Sequence, residues 1–360
     1  MKKQIHIVHI ITDLSFGGAQ RFVVDLVNHA DKHSYRFSIV TLRDDIRLAE
    51  QITTDVSVHV VEKKGKLSLG LFADLRKKLT ELNPDIVHTH LFAPDIWGRV
   101  AARQVGLPIV TTEHNTNYAD GAIRNWVKKQ TTHHTSTHVA VSDAIRSYSM
   151  KHYGITDMQV IRPGIDLSQF LSVPALTKKK ELRYLMLGRI TKQKGFDIGL
   201  QAFARVQEKN WQLSIVGEGE DKQLLETLVA RYQLQQQVTV LVPTADVAGL
   251  LSNHDVVVVP SRWEGLGVVI MEAFAAGRVV IGSAVGGIPE LIQQQQTGLL
   301  VPAEDVDALH NMIQTTLEDP SLRSTLGAAA RMYAKTHFGL EKMIGAYAQV
   351  YQSCLKKKAV

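Results

Sequence analysis

Cysteine is almost missing from this chain: Cys354 stands alone among 360 residues. One thiol excludes an internal disulfide framework and a multi-cysteine metal site, and it fits a reducing compartment. Aromatic residues are scarce at 6%, and no basic run is interleaved with them, so the stacking platform of a nucleic-acid binder is not there. Long apolar runs are missing as well. The stretch from Ile5 to Ile11 is interrupted by His6 and His9 and runs into Thr12 and Asp13. That is too short and too polar for a membrane span, and it lacks the cleavage pattern of a signal peptide. The first glycine loop does not read Gly-x-Gly-x-x-Gly, which sets dinucleotide-dependent oxidoreductases aside.

What is present reads as a soluble globular protein, with 45% hydrophobic and 21% charged residues. A length of 360 residues suits two cores better than one. The net charge of +6 favours anionic partners such as nucleotide phosphates or an acidic membrane surface. The runs Lys178–Lys180 and Lys356–Lys358 read as a solvated linker and tail. The expected location is the cytoplasm, with peripheral contact at the inner face of the cell membrane left open through the amphipathic, lysine-bearing stretch Leu67–Leu82.

Short β-branched runs alternate with helix-length amphipathic segments throughout, the pattern of an α/β protein with parallel sheets covered on both faces. The first series of expected strands is Ile5–Ile11, Phe37–Leu42, Val56–Val61, Ile86–His90, Ile109–Glu113, His138–Val141 and Gln159–Arg162. Leu167–Glu181, with Pro174 and the lysine run, has the composition of a linker. The second series is Leu182–Leu187, Gln212–Val216, Val238–Leu241, Val256–Val259, Val279–Ile281 and Leu299–Val301. Two doubly wound units are therefore expected in tandem, over residues 1–168 and 182–338, facing a central cleft. Each should carry its ligand loops at the carboxyl ends of its strands.

The most specific signal runs from Glu264 to Glu272, two carboxylates separated by seven residues directly after the strand Val256–Val259. Gly265 and Gly267 would let backbone N–H groups approach a ligand, and a helix starting near Leu266, with Val268 in its first turn, would aim its positive end at a diphosphate. Glu272, further along that helix, could accept hydrogen bonds from two ribose hydroxyls. Glu264 would stay in the loop beside the sugar. Arg189 and Lys194 follow the strand Leu182–Leu187 and could neutralise a departing diphosphate, although a solvated basic loop accounts for either residue alone. Gly17 and Gly18 follow the first strand, where a loop could lie against donor phosphate or sugar; a tight turn is the plain alternative. His88 and His90 in Asp85-Ile86-Val87-His88-Thr89-His90 could be read as a metal pair, but no third ligand is evident in sequence. Packing is the expected role of His88.

Ser261 to Glu272 resembles the signature Ser-x-x-Glu-Gly-x-Gly of glycosyltransferase family 4 of the GT-B fold. Further landmarks follow in the expected order: Gly17-Gly18-Ala19, Gly188-Arg189 with Lys194-Gly195, Val216-Gly217-Glu218-Gly219 and Gly286-Gly287-Ile288-Pro289-Glu290. The resemblance implies a retaining enzyme that takes a sugar from a nucleoside diphosphate donor, with a UDP-sugar expected, and uses no metal and no other cofactor. It further implies that His114 lies near the transferred sugar, that His90 and His114 line the acceptor side, that Val242-Pro243-Thr244 meets the base, and that residues 339–360 form a helix crossing back to the first domain. Tyr347 and Tyr351 there are expected to pack. At Pro163 the family usually carries asparagine. The expected acceptor is a saccharide, lipid-linked or part of a lipopolysaccharide or exopolysaccharide, and the chain is expected to be a monomer or weak dimer. A nucleotide-sugar epimerase, a glycogen-type phosphorylase and a non-catalytic nucleotide-sugar-binding protein stand as alternatives.

Overall fold

The computed structural model describes residues 4–62, 69–115, 121–176 and 181–358. Lys178–Lys180 and the start of the stretch at Leu67 lie outside them. The chain divides into two compact units, Met1–Gly164 with Leu340–Val360, and Ile165–Gly339. In chain order the first unit holds β1 (Ile5–Ile11), α1 (Gly18–His29), β2 (Tyr35–Thr41), β3 (Ser57–Val60), α2 (Leu69–Leu82), β4 (Ile86–His90), α3 (Phe92–Gln104), β5 (Ile109–Glu113), α4 (Ala122–Thr132), β6 (Thr137–Ala140), α5 (Asp143–Tyr153) and β7 (Gln159–Val160). The second holds α6 (Leu167–Leu171), β8 (Leu182–Leu187), α7 (Phe196–Phe203), β9 (Trp211–Val216), α8 (Lys222–Arg231), β10 (Val238–Leu241), α9 (Val247–Asn253), β11 (Val256–Val259), α10 (Val268–Ala275), β12 (Val279–Ser283), α11 (Ile288–Leu291), β13 (Leu299–Val301), α12 (Val306–Glu318) and α13 (Pro320–His337). The last helix, α14 (Leu340–Lys358), belongs to the first unit.

Both sheets are parallel, ordered β3-β2-β1-β4-β5-β6-β7 and β10-β9-β8-β11-β12-β13. In each, the order reverses direction next to the first strand, between β1 and β4 and between β8 and β11. Loops leaving those two strands diverge to opposite sides and open a ligand position at the carboxyl edge. The central strands carry the apolar runs that two covered faces require. All of Val256–Val259, for instance, is buried. Strand ends differ from the sequence reading by a residue or two. β2 begins at Tyr35 because Tyr35 and Arg36 already pair with Ile5 and His6, and β7 is reduced to two residues at the sheet edge.

Helix α14 shows why the chain returns to the first unit. Leu340, Met343, Tyr347, Val350, Tyr351 and Cys354 are all buried in the core under β1, β4 and β5, at spacings that form one stripe of a helix. Burying each large apolar side chain of that stripe contributes about 1.5–3 kcal/mol.

One expectation is corrected. Leu167–Glu181 is not a free linker over its first ten residues: α6 forms there, Phe170 and Val173 are buried, and Arg278 donates to the Pro174 carbonyl at 2.6 Å. Arg278, between α10 and β12, and Arg331 of α13 hold the segment down. The amphipathic, lysine-bearing stretch is described from α2 onward, where Leu71, Leu75 and Leu79 point into the first unit's core. Among the described residues, no helix is long and apolar enough to cross a membrane.

Beneath β5 lies a buried ionic cluster. Lys128 of α4 pairs with Glu113 and sits 3.0 Å from Asp95, while Arg99 of α3 reaches Glu113 at 3.3 Å. Burial works to raise the Glu113 pKa, but Lys128 and Arg99 hold it below the usual carboxylate range. Burial likewise works against the Lys128 charge, and the two carboxylates outweigh it. Removing one partner from such a cluster leaves charge stranded. Lys128→Met is therefore expected to lower the unfolding free energy in urea by about 3–5 kcal/mol; a loss below about 1 kcal/mol would show that the cluster relaxes with little cost.

Candidate functional site

In the second unit the sequence landmarks converge at the carboxyl edge of the sheet. The loops after β9, β8, β11 and β12 lie side by side in strand order, joined backbone to backbone. Arg262 N–H donates to the Gln193 carbonyl at 2.8 Å, Gln193 Nε2 donates to the Trp263 carbonyl at 3.1 Å, and Ile190 N–H donates to Glu218 at 2.7 Å. Glycine makes this approach possible. A methyl group at position 195 would lie 2.0 Å from the Pro260 carbonyl oxygen, one at 217 would lie 1.9 Å from Gly188 O, and one at 286 would lie 1.8 Å from Glu264 O. Gly217 thus has a packing reason to be glycine, independent of any ligand.

The approach of these loops brings Lys194 and Glu264 together, with Nζ 2.5 Å from Oε2. The Ser261 hydroxyl donates to the same carboxylate oxygen at 3.3 Å, and the Lys194 stem rests against Gly188. Arg262, which the motif passes over as a variable position, braces the loops. It makes two hydrogen bonds to Asp197 at 2.8 and 2.7 Å, one to Glu304 at 2.8 Å and one to the Lys192 carbonyl at 2.9 Å. Arg189 is exposed and reaches Gln193 only at 3.4 Å.

Helix α10 begins at Val268, two residues after the expected start at Leu266, because Gly267 takes the left-handed conformation (φ 96°) before it. Gly267 has no side chain to cap the helix, so the positive end of α10 is open to an anion beside Gly265 and Leu266. Glu272 sits partly buried one turn further along. Val242, at the end of β10, is 74% exposed. The structure thus groups Gly188, Arg189, Lys194, Gly217, Glu264, Gly265, Leu266, Gly267, Val268 and Glu272 on the adjoining loops and first helical turns of one sheet edge.

In the first unit, Gly17 is extended (φ −173°) and Gly18 starts α1. Only the flexible end of Gln20 would meet a methyl group at Gly17, so the local backbone gives no reason for glycine there. Asp13 organises the loop by accepting from Ser15 and Gln20 at 2.7 Å each. The histidines form a chain: His9 Nδ1 is 2.9 Å from His90 Nε2, and His90 Nδ1 is 3.0 Å from His114 Nε2. His9, His88 and His90 have no exposed surface, and His114 is partly exposed at the end of β5. Burial pushes His9 and His114 down to about 3 and His88 and His90 well below the usual histidine value, so all four rings are neutral near pH 7.

His90 therefore does not line an acceptor surface as expected. Its strand is covered by Phe22 of α1 and by α14, and its Nδ1 is bonded to His114. His88 packs as expected, with its nitrogens bonded to Tyr351 Oη at 2.9 Å and Thr112 Oγ1 at 2.8 Å. The sequence reading missed His9, which can offer a nitrogen within 4.8 Å of those of His88 and His90. Each ring offers one nitrogen to a metal ion, and either nitrogen of His88 would have to give up a hydrogen bond to do so. Binding would also bury a dication among neutral rings on the sheet face opposite Glu113. The geometry is that of a hydrogen-bonded network.

Family models account for most of the chain: "Glycosyltransferase Family 4" matches residues 16–169 and "Glycosyl transferases group 1" matches residues 169–333. The chain belongs to glycosyltransferase family 4. It is similar to N-acetyl-alpha-D-glucosaminyl L-malate synthase of Bacillus anthracis, 28% identical over 80% of each chain. It is also similar to an Escherichia coli UDP-Gal:alpha-D-GlcNAc-diphosphoundecaprenol alpha-1,3-galactosyltransferase, 26% identical over 82% of this chain and 78% of that one. Among solved structures, Anabaena HepE in complex with UDP and glucose superposes with a TM-score of 0.86 at 21% identity, covering 97% of this chain and all of that one. That likeness shows the GT-B fold. This glycosyltransferase thus carries its family signature at the place in the second sheet where the strand order reverses.

The glycine contacts are testable. Gly286→Ala should displace the Glu264 backbone and lower stability by about 1–3 kcal/mol, the cost of overpacking plus a left-handed φ of 53°. Gly345→Ala, with open space around it in α14, serves as the control and should leave the melting temperature unchanged or raised. Equal melting temperatures for the two variants would remove the packing argument.

Proposed function

We propose that this glycosyltransferase is retaining and metal-independent, and moves a sugar from a UDP-sugar to a hydroxyl of a saccharide acceptor. A lipid-linked or lipopolysaccharide-type intermediate is the acceptor this reading favours. The observation that carries it is the Lys194–Glu264 pair at 2.5 Å next to the uncapped start of α10. A diphosphate needs a cation and oriented N–H groups at one place, and a sugar needs a carboxylate beside them.

In this reading Lys194 and Arg189 take up the charge of the leaving diphosphate, with the N-terminus of α10, and do what a metal ion does elsewhere. Glu272 holds the ribose, Val242 and its neighbours meet the base, and Gly17 and Gly18 leave room for the donor. Glu264 orients the sugar and steadies Lys194. His114, neutral at working pH, serves as a hydrogen-bonding group to a substrate hydroxyl and not as a nucleophile. No side chain is assigned as nucleophile, so retention is read as attack from the face the diphosphate leaves, with a donor phosphate oxygen taking the proton. The named relatives support the donor and acceptor classes: one structure contains UDP and glucose, and one relative acts on a diphosphoundecaprenol-linked sugar.

The test is a panel of nucleotide sugars in excess chelator, scored by thermal stabilisation and by slow donor hydrolysis. One UDP-sugar should both stabilise the protein and turn over. Glu272→Ala and Arg189→Ala should each weaken binding about 10- to 100-fold, the worth of a charged hydrogen bond. Failure of every nucleotide sugar to bind would overturn the reading, and turnover only after a divalent ion is restored would overturn its metal-free part.

A further inference from the structure

The histidine chain fixes more than the position of His114. Each neutral imidazole has one N–H and one bare nitrogen, and the hydrogen bond at one nitrogen decides which is which. Along His9, His90 and His114 the bonds alternate Nδ1 to Nε2, so only two proton arrangements satisfy both. In one, every ring is protonated at Nδ1 and donates towards His114. In the other, every ring is protonated at Nε2 and donates towards His9.

The inner end decides between them. His9 Nε2 is buried and has no hydrogen-bond partner among the described residues. The second arrangement would place an orphaned N–H there, whereas the first leaves only a bare lone pair. Buried N–H groups without partners are the rarer case in folded proteins. The neighbouring rings of Phe37, at 5.6 Å, and His88, at 4.9 Å, lie tilted to His9 and offer no oxygen. Burial also keeps all three rings neutral, which excludes a doubly protonated member of the chain.

We propose that His9 and His90 are positioning residues that lock His114 in the Nδ1–H form, so that it meets its substrate as a neutral hydrogen-bond donor. A ring so held accepts from His90 at Nε2 and already bears a proton at Nδ1. It can donate to a sugar oxygen but cannot take the acceptor's proton, and that proton must go to another base. The site therefore selects an oxygen that can accept a hydrogen bond, and a donor sugar lacking that oxygen is rejected. This consequence for catalysis rests on the sugar-transfer reading above; the tautomer itself does not.

The full chain labelled with 15N-histidine reports the tautomers directly by NMR, without substrate. The expected result is His9, His90 and His114 each protonated at Nδ1 and bare at Nε2, the reverse of the form a free neutral imidazole favours in water. His114 protonated at Nε2 in the wild-type protein would overturn the proposal, whatever the outcome of any activity assay. In His90→Phe, which keeps a ring but removes both bonds, His114 should return to the Nε2–H form. kcat should fall about tenfold or more while donor affinity changes less than about twofold. An unchanged His114 spectrum in a folded His90→Phe protein would also overturn it. Should that variant fail to fold, the wild-type spectrum and His9→Phe still decide. If the tautomers are as expected but no nucleotide sugar turns over, the sugar-transfer reading fails and the lock stands.

Discussion

The structure of the second unit depends on one constraint: four loops must touch through their main chains at the edge of a parallel sheet. Side chains cannot be accommodated where Gly195 meets Pro260, Gly217 meets Gly188 and Gly286 meets Glu264. Once the loops are that close, Lys194 and Glu264, seventy positions apart in sequence, have one geometry open to them and form their pair. Strand order sets which loops are neighbours, the glycines set how near they come, and Arg262 ties the result to α7 and to Glu304. A lysine and a helix N-terminus left uncapped lie at that edge and give it positive character.

The first unit has the same strand order but builds its edge from side chains. Alternation along β4 and β5 sends His88, His90 and Thr112 to the α14 face and Thr89, Thr111 and Glu113 to the α3 and α4 face. One face becomes a network of neutral rings and hydroxyls that runs from His9 to His114 and includes Tyr347 and Tyr351. The other becomes a compensated ionic cluster around Lys128. Glu113 and His114, adjacent in sequence, are thus anchored from opposite sides, which leaves the end of β5 little freedom. That rigidity suits a residue whose task is to present one N–H in one direction.

The strands were legible because parallel strands buried on both faces must be written as apolar runs, as in Val256–Val259. The donor motif was legible because its glycines, carboxylates and helix start are close in sequence. What escaped notice depends on register. His9 sits within an apolar run of β1 and becomes part of a site only because it pairs with His88 across the sheet. Asp95, Glu113 and Lys128 lie far apart in sequence and meet only where α3 and α4 bring them under β5. His90 looked available because strand ends often are, and the cover supplied by Phe22 and α14 is not written near it. The segment after Ile165 read as a linker from its polar composition, while Arg278 and Arg331, far downstream, hold it through its carbonyl groups.

The central claim is that these adjoining loops of the second unit form a nucleoside diphosphate site. Hydrogen exchange of the full chain with and without saturating UDP tests it most directly, because amides in the loops should become bonded or shielded when the anion binds. Slowed exchange should be confined to peptides covering residues 188–195, 217–219, 242–244, 260–272 and 286–290. Binding of UDP with unchanged exchange in residues 188–195 and 260–272 would contradict the account.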